Sequence, residues 1–244
     1  METKKHNIGT LHKREVIGGI LGWPMFLLGS QLLVALILWL FHRKLNSLSG
    51  LAWYNLIVTL ITLGVLLPFF LPFLRQQFTW LTALRGKRTF GDLGIGIGLY
   101  FGLSFVVNLI TELLIRELGI TPENTNQAVV EKLVTTVPPI MILDVCLLAP
   151  LTEEVLCRGL IFCGLYRHSR FWAYALSMAV FSFAHVFAYV LDQPPLVSLI
   201  NFLSYLPAGF ALAWVYERSE SIWASIFLHG IINSIALLLV FGMR

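Results

Sequence analysis

The chain has 244 residues, of which 57% are hydrophobic and only 12% are charged, and its mean hydropathy is +0.81. Soluble domains carry about 25% charged residues, so this composition argues against a soluble domain and for a polytopic helical membrane protein. The net charge of +4 fits lysines and arginines that set membrane orientation. No basic patch interleaved with aromatic residues predicts nucleic-acid binding.

Apolar stretches long enough to form membrane helices recur along the chain. A helical span needs about 20 apolar residues. We expect spans at 16–41, 51–74, 91–115, 137–166, 171–190, 196–216 and 221–241. The fourth is long for one crossing, and Pro138, Pro139 and Pro150 could break it into two pieces. The sequence therefore predicts an all-α polytopic membrane helical bundle of seven to eight transmembrane helices with an intramembrane polar cavity.

The first apolar run follows basic residues and could be mistaken for a signal peptide. It extends from Val16 to Phe41, which is far longer than a signal-peptide core, and no small-residue cleavage site follows it. We therefore expect a permanent first span. With the N-terminus in the cytosol, eleven lysines and arginines lie on the cytosolic side and five on the opposite side, which follows the positive-inside rule. The cytosolic set is Lys4, Lys5, Lys13, Arg14, Arg75, Arg85, Lys87, Arg88, Arg167, Arg170 and Arg218, and the opposite set is Arg43, Lys44, Arg116, Lys132 and Arg244.

Two further patterns predict how parts of the bundle are arranged. Gly94, Gly98 and Gly102 are spaced by four, so we expect them on one helical face that a neighbouring helix approaches closely. The segment 117–136 is the longest polar connection after the N-terminal tail, and we expect it to cap the outer face as an interfacial loop.

The strongest polar motif lies in the fourth predicted span, at Glu153-Glu154 with Arg158. Ionisable side chains are costly inside a membrane and therefore mark functional sites. Residues four apart share a helical face, so Glu154 and Arg158 can form an ion pair. Glu153 points about 100° away and has no obvious local partner. A carboxylate so placed can act as a general base.

Two histidines occupy the next spans, each with a partner four residues away. Phe181 precedes His185, and His229 precedes Asn233. His229 and Asn233 together could donate hydrogen bonds to a developing oxyanion. Glu153, His185 and His229 lie at comparable depths in their spans, so they can meet around one cavity, which we expect to open toward the cytosol.

The ordered set EExxxR, FxxxH and HxxxN resembles the CPBP family, the CAAX-protease and bacteriocin-processing group also called Abi. The resemblance covers roughly residues 137–241, and all three motifs occur in order, each within a predicted span. It implies an intramembrane endopeptidase in which Glu153 and His185 position the nucleophilic water, while His229 and Asn233 hold the oxyanion. Glu154, Arg158 and Phe181 are then structural or orient the substrate. No metal or other cofactor is implied.

The resemblance also predicts organisation, substrate and location. It divides the chain into a cytosolic N-terminal tail at 1–15, transmembrane helices without a family motif at 16–136, and a catalytic core at 137–241. The expected partners are the lipid bilayer and a peptide or membrane-anchored protein substrate. The compact form resembles bacterial members, so the expected location is a bacterial cell membrane, with a role in peptide maturation or bacteriocin immunity.

Four alternatives stay open from the residues alone. Glu153, Glu154, His185 and His229 are acceptable Zn²⁺ ligands, so a zinc protease is one alternative, although no HExxH helix is present. A cysteine protease that uses Cys157 is a second; Cys146, Cys157 and Cys163 show no disulfide or CxxC pattern. A non-catalytic immunity or scaffold protein is the third. A proton-coupled transporter is the fourth, although no paired halves are visible.

Overall fold

The computed structural model describes residues 8–80, 86–120 and 122–242. Within these ranges the chain forms eight helices and no strand, which confirms the predicted all-α bundle. They are α1 (Lys13–Leu40), α2 (Leu48–Trp80), α3 (Gly86–Leu118), α4 (Thr125–Thr136), α5 (138–166), α6 (Arg170–Val186), α7 (Pro195–Ser219) and α8 (Ile222–Gly242). Of the residues counted for orientation, Lys4, Lys5, Arg85 and Arg244 lie outside the described residues, as does most of the predicted tail at 1–15.

Six of the described helices are long and apolar enough to cross a membrane, so the chain is a multi-pass integral membrane protein. They are α1, α2, α3, α6, α7 and α8. The span formed by α6 includes the turn that continues it to Tyr189. The remaining two are α5, which corresponds to the predicted fourth span, and α4, which has only 12 residues. The segment expected to be a loop at 117–136 is therefore helical over its second half, where Asn124 caps α4 by accepting a hydrogen bond from the backbone of Gln127 at 3.1 Å.

Prolines do not break α5 as the sequence suggests they could. Pro138 and Pro139 occupy its first turn, where the missing N–H groups cost nothing. Pro150 follows a π-helical turn at Asp144–Leu148, which accommodates the lost backbone hydrogen bond without ending the helix. A second and longer π-helical stretch covers Val155–Phe162, directly after the glutamate pair. Such turns are rare and occur often at functional sites.

Glycines allow α1 to lie close to its neighbours. A Cβ atom at Gly18 or Gly22 would overlap side chains of α2, and one at Gly19 would overlap Leu160 of α5. Membrane helices associate through such close contacts because lipid offers no hydrophobic driving force between them. The N-terminal helix is therefore fixed against the part of the chain that carries the polar motifs.

The prediction for Gly94, Gly98 and Gly102 is wrong for the described bundle. No atom lies within 4 Å of a Cβ built at any of the three, so their face of α3 is open. The close approach occurs at Gly96 instead, where a Cβ would meet Val215 of α7 and Leu228 of α8. Spacing by four identified a common face correctly, but sequence alone does not show which face of an apolar helix meets protein and which meets lipid.

The helices alternate in direction, which gives the bundle two ends. The turn end holds the 167–169 turn and residue Ile8, whose carbonyl accepts a hydrogen bond from Tyr216 at 2.8 Å. The loop end holds the connections 41–47, 119–124 and 190–194. A hydrophobic cluster fills the turn end, and its largest members are Phe70, Phe73, Phe162, Tyr166 and Tyr216. A second hydrophobic cluster lies at the loop end, where Ala52, Leu133 and Leu237 are among its members.

Candidate active site

The adjacent glutamates of α5 point in different directions and have different surroundings. Glu154 and Arg158 are completely buried and form an ion pair of 3.0 Å between Oε1 and Nη1. Arg158 also donates from Nη2 to the backbone carbonyl of Gly209 on α7, at 2.8 Å. The predicted pair is present, and it joins α5 to α7 in the middle of the bundle.

Glu154 also holds a histidine. The Nδ1 atom of His229 lies 2.9 Å from Glu154 Oε1, and Ser225 donates to Glu154 Oε2 at 2.6 Å. Because Nδ1 is engaged by the carboxylate, Nε2 is the ring nitrogen of His229 that remains available to another group. His229 is 4% exposed, so its ring is fixed on nearly all sides.

Glu153 faces the two histidines that the motifs single out. Its Oε2 atom lies 3.6 Å from Nε2 of His185 and 3.8 Å from Nε2 of His229. Both distances exceed a hydrogen bond, and Oε2 is buried without any hydrogen-bond partner among the described residues. Polar atoms separated in this way are commonly bridged by water. The three residues thus converge from α5, α6 and α8, far closer than the 10 Å beyond which one reacting centre is excluded.

Phe181 packs against both histidines. Its ring centroid lies 4.6 Å from that of His185 and 5.6 Å from that of His229, while the Arg158 guanidinium sits 4.8 Å from the same centroid. The ring therefore packs against both imidazoles and contributes a cation–π contact to Arg158. The second motif thus supplies both a histidine and the surface that supports it.

His185 is held from two further directions. Its Nδ1 atom contacts the carbonyl of Phe181 at 2.9 Å, which leaves Nε2 toward Glu153. The ring of Tyr205 stacks on the imidazole with a centroid separation of 4.4 Å. The Tyr205 hydroxyl in turn donates to Asn124 and accepts from Asn126, at 3.2 and 3.1 Å. The start of α4 is therefore connected to the His185 ring through one tyrosine.

Asn233 lines the same cavity but is partly engaged elsewhere. Its side-chain amide donates to the carbonyl of Val145 on α5 at 2.8 Å. An asparagine amide has two N–H groups, so one remains for another acceptor. Its position one helical turn beyond His229 places it on the same face of α8.

These side chains border a cavity of about 520 Å³. Its walls include Glu153, His185, His229 and Asn233, together with residues 126–133 of α4 and 51–62 of α2. The α4 residues and the first half of α2 lie toward the loop end, whereas Glu153 lies at the middle of α5 and His229 lies in the half of α8 nearer the turn end. The sequence predicted both a cytosolic N-terminus and a cavity that opens to the cytosol. Both stay predictions, because the arrangement of the described residues assigns neither end of the bundle to a side of the membrane.

Comparison with known proteins gives matches for the segment that carries the three motifs. Residues 135–235 match the family model described as Type II CAAX prenyl endopeptidase Rce1-like. The predicted resemblance is therefore confirmed for this segment. It contains every residue of the three motifs, from Glu153 to Asn233.

Two bacterial proteins are similar over longer stretches. The Bacillus subtilis (strain 168) protein named "Putative membrane peptidase YdiL" is 30% identical over 122 residues, which is 50% of this chain and 45% of that protein. The "UPF0177 protein YaiF" of Lactococcus lactis subsp. lactis (strain IL1403) is 32% identical over 140 residues, 56% of each. The chain thus spans about half the length of these curated relatives. No solved structure matches.

Several residues outside the three motifs also contribute to the site. Ser225 lies four residues before His229, so the spacing rule that identified Asn233 could have found it. Tyr205 and Gly209 lie on α7, which carries no motif, and Asn124 and Asn126 lie in the polar segment before the Rce1-like match begins. Their contributions depend on the packing of α7 and α4, which periodicity does not report.

The geometry bears on two of the alternatives, the cysteine protease and the zinc protease. Cys146, Cys157 and Cys163 are all buried, and Cys157 lies within a hydrophobic cluster with Phe181 and Leu228. Reactive cysteines occupy polar and partly exposed surroundings, so these thiols have the character of packing residues. Among the described residues, no group of three or more His, Cys, Asp or Glu side chains is arranged to hold a metal ion.

Proposed function

We propose that the chain is an intramembrane peptidase that hydrolyses a peptide bond with a water molecule held between Glu153 and His185. The observation that carries this proposal is the unpartnered Oε2 atom of Glu153, which lies 3.6 and 3.8 Å from two histidine nitrogens at the wall of a cavity. A buried carboxylate normally has its hydrogen bonds satisfied. One that faces two imidazoles across a gap fits a general base whose substrate water is bound between them.

In the proposed reaction, Glu153 takes a proton from the water as its oxygen attacks the carbonyl carbon of the scissile bond. His185 orients that water through Nε2, because Nδ1 is engaged by the Phe181 carbonyl. The proton then passes from Glu153 to the departing amine, which completes hydrolysis with no net change in the enzyme.

His229 and Asn233 form the oxyanion site in this proposal. In this role His229 is doubly protonated: Nδ1–H is donated to the Glu154 carboxylate, and Nε2–H, on the side of Glu153, is donated to the oxyanion. Asn233 offers its second amide hydrogen, since the first is bonded to the Val145 carbonyl. Donors fixed before the reaction stabilise the developing charge without reorganisation. Glu154, Arg158 and Ser225 act as positioning residues, because they touch His229 or each other and not the reacting atoms.

The proposed substrate is a peptide or a membrane-anchored protein, which the cavity of about 520 Å³ can accept as an extended segment. Both similar proteins are bacterial, and one is named as a membrane peptidase. We therefore place the chain in a bacterial cell membrane, with a role in peptide maturation or immunity. No metal is needed by the proposed chemistry, because a carboxylate and a histidine activate the water.

Purified full-length protein in lipid nanodiscs, incubated with a complex mixture of peptides and followed by mass spectrometry, tests the proposal. New termini should appear with wild-type protein, should be absent with Glu153→Ala, and should persist in the presence of EDTA and 1,10-phenanthroline. Wild-type cleavage that Glu153→Ala retains would exclude Glu153 as the base. Loss of cleavage with chelators, restored by Zn²⁺, would favour a zinc protease instead.

A further inference from the structure

A second carboxylate in the cavity wall is not used by the proposed reaction. Asp144 lies on α5, is 5% exposed, and lines the same cavity as Glu153. Its Oδ1 atom is buried and has no hydrogen-bond partner in the described part of the chain. None of the ion pairs among the described residues includes it. A buried carboxylate without a counter-charge costs free energy, so its presence in the cavity wall suggests that a ligand supplies the opposite charge.

The local backbone turns Asp144 toward the cavity. In a regular α-helix, residues nine apart are two and a half turns apart, so Asp144 and Glu153 would point to opposite sides. The π-helical turn at Asp144–Leu148 changes this relationship by about 100°, because a π-turn contains one extra residue. Both carboxylates consequently border one cavity.

Uncharged polar side chains of the first two helices share the cavity wall with Asp144 and with apolar residues. They include Gln31 of α1 and Tyr54, Asn55, Thr59 and Thr62 of α2. Such groups can accept hydrogen bonds from an ammonium or guanidinium group while Asp144 supplies the opposite charge. They belong to the first two helices, outside residues 135–235, so this wall comes from the part of the chain that carries no family motif.

We propose that Asp144 forms a recognition subsite for a positively charged group of the substrate peptide, either a lysine or arginine side chain or a free N-terminal ammonium. The inference rests on the proposed peptidase function. Nine helical residues separate Asp144 from Glu153 by about 13 Å along the axis of α5. An extended peptide advances about 3.3 Å per residue, so the charged group lies about four residues from the scissile bond.

Synthetic peptides and the full-length protein in nanodiscs provide the test. One set is N-acetylated and otherwise neutral, with a single lysine moved through each position within six residues of the cleaved bond and norleucine as its uncharged counterpart. A second set replaces the lysine by a free N-terminus at each distance. Wild-type protein should cleave one or both sets at least tenfold faster, measured as kcat/KM, when the charge lies about four residues from the bond. Asp144→Asn should remove this preference, so that lysine and norleucine peptides are cleaved at equal rates, and Asp192→Asn, in the exposed connection before α7, should retain it.

The outcomes separate this subsite from the reaction itself. A wild-type protein that cleaves both sets without preference, or an Asp144→Asn protein with an unchanged preference, overturns the subsite and leaves the peptidase proposal intact. If no peptide is cleaved, binding of fluorescent lysine and norleucine peptides to Glu153→Ala protein decides. Tighter binding of the lysine peptide that depends on Asp144 supports the subsite even then, and equal binding overturns it. If Asp144→Asn does not fold, the wild-type scan decides alone.

Discussion

Glu154 lies 2.9 Å from Nδ1 of His229, although 75 residues separate them in the chain. The same Oε1 atom is paired with Arg158 at 3.0 Å, so one fully buried carboxylate serves both a structural ion pair and a histidine of the site. In the proposed reaction, folding and activity are therefore coupled at Glu154. This relationship explains why two adjacent glutamates occur together: one supports His229 while the other faces its opposite nitrogen.

The coupling predicts how the buried pair responds to substitution. Arg158→Ala should lower folded yield and activity together, because an uncompensated buried charge typically costs about 3–5 kcal/mol. The double change Glu154→Gln with Arg158→Met should recover yield but not activity, since His229 then lacks its carboxylate. Fluorescence-detected size-exclusion chromatography and a peptidase assay measure the two effects.

An exposed ion pair of the same spacing is the matched control. Arg116 and Glu112 pair at 2.9 Å on α3, with side chains that are 73% and 53% exposed. Arg116→Ala should change stability by about 0.5 kcal/mol or less. Equal yields of the Arg116→Ala and Arg158→Ala proteins would contradict the assignment of Arg158 to a buried pair.

Ser225 should affect activity through Glu154. Its hydroxyl donates to Glu154 Oε2 at 2.6 Å, so Ser225→Ala leaves a buried carboxylate oxygen without a donor at a cost of about 1–3 kcal/mol. We expect a roughly tenfold loss of kcat, on the scale of 1.4 kcal/mol per tenfold, with KM little changed. Ser234→Ala on the same helix is the control, because its hydroxyl bonds only to the Gly230 carbonyl at 2.7 Å. Equal kcat values for the two variants would show that Ser225 is an ordinary helix residue.

Tyr205 should act through its ring and its hydroxyl separately. The ring stacks on His185, whereas the hydroxyl bonds to Asn124 and Asn126 at the start of α4. Tyr205→Leu is expected to lower kcat because the His185 ring loses its support. Tyr205→Phe keeps the ring and releases α4, so it should change KM more than kcat. The same kcat loss in both variants would mean that the stacking contact does not position His185.

The side of the membrane on which each end of the bundle lies can be measured with single cysteines. The three native cysteines are buried, so they give little background. With the N-terminus in the cytosol, Leu191→Cys at the loop end should react with a membrane-impermeant maleimide in intact cells. His168→Cys at the turn end should react only after permeabilisation. The reverse pattern would place the N-terminus outside and the loop end in the cytosol.

The sequence predicted the parts of this protein that depend on local pattern. Hydropathy placed the described helices except α4, and spacing by four paired Glu154 with Arg158 and put His229 on the face of Asn233. The ordered motifs predicted that Glu153, His185 and His229 meet at one cavity. These predictions succeed because ionisable groups are rare in membrane helices, and because the sequence spacing of two residues fixes whether they share a helical face.

What the sequence did not predict depends on how helices pack and rotate. Gly96, not Gly94, Gly98 or Gly102, meets the neighbouring helices. Asp144 reaches the cavity only because a π-helical turn changes the direction of its side chain.

The central claim is that Glu153 and His185 hold one water molecule, and a double-substitution cycle tests it most directly. Peptide cleavage should be measured for Glu153→Ala, His185→Ala and the double variant, in protein whose folded yield matches wild type. Residues that act as one unit are strongly non-additive. Each single change should leave less than a tenth of wild-type kcat, and the double variant should be no slower than the slower single variant. A double loss equal to the product of the single losses, or more than a tenth of activity in either single variant, would contradict the shared water.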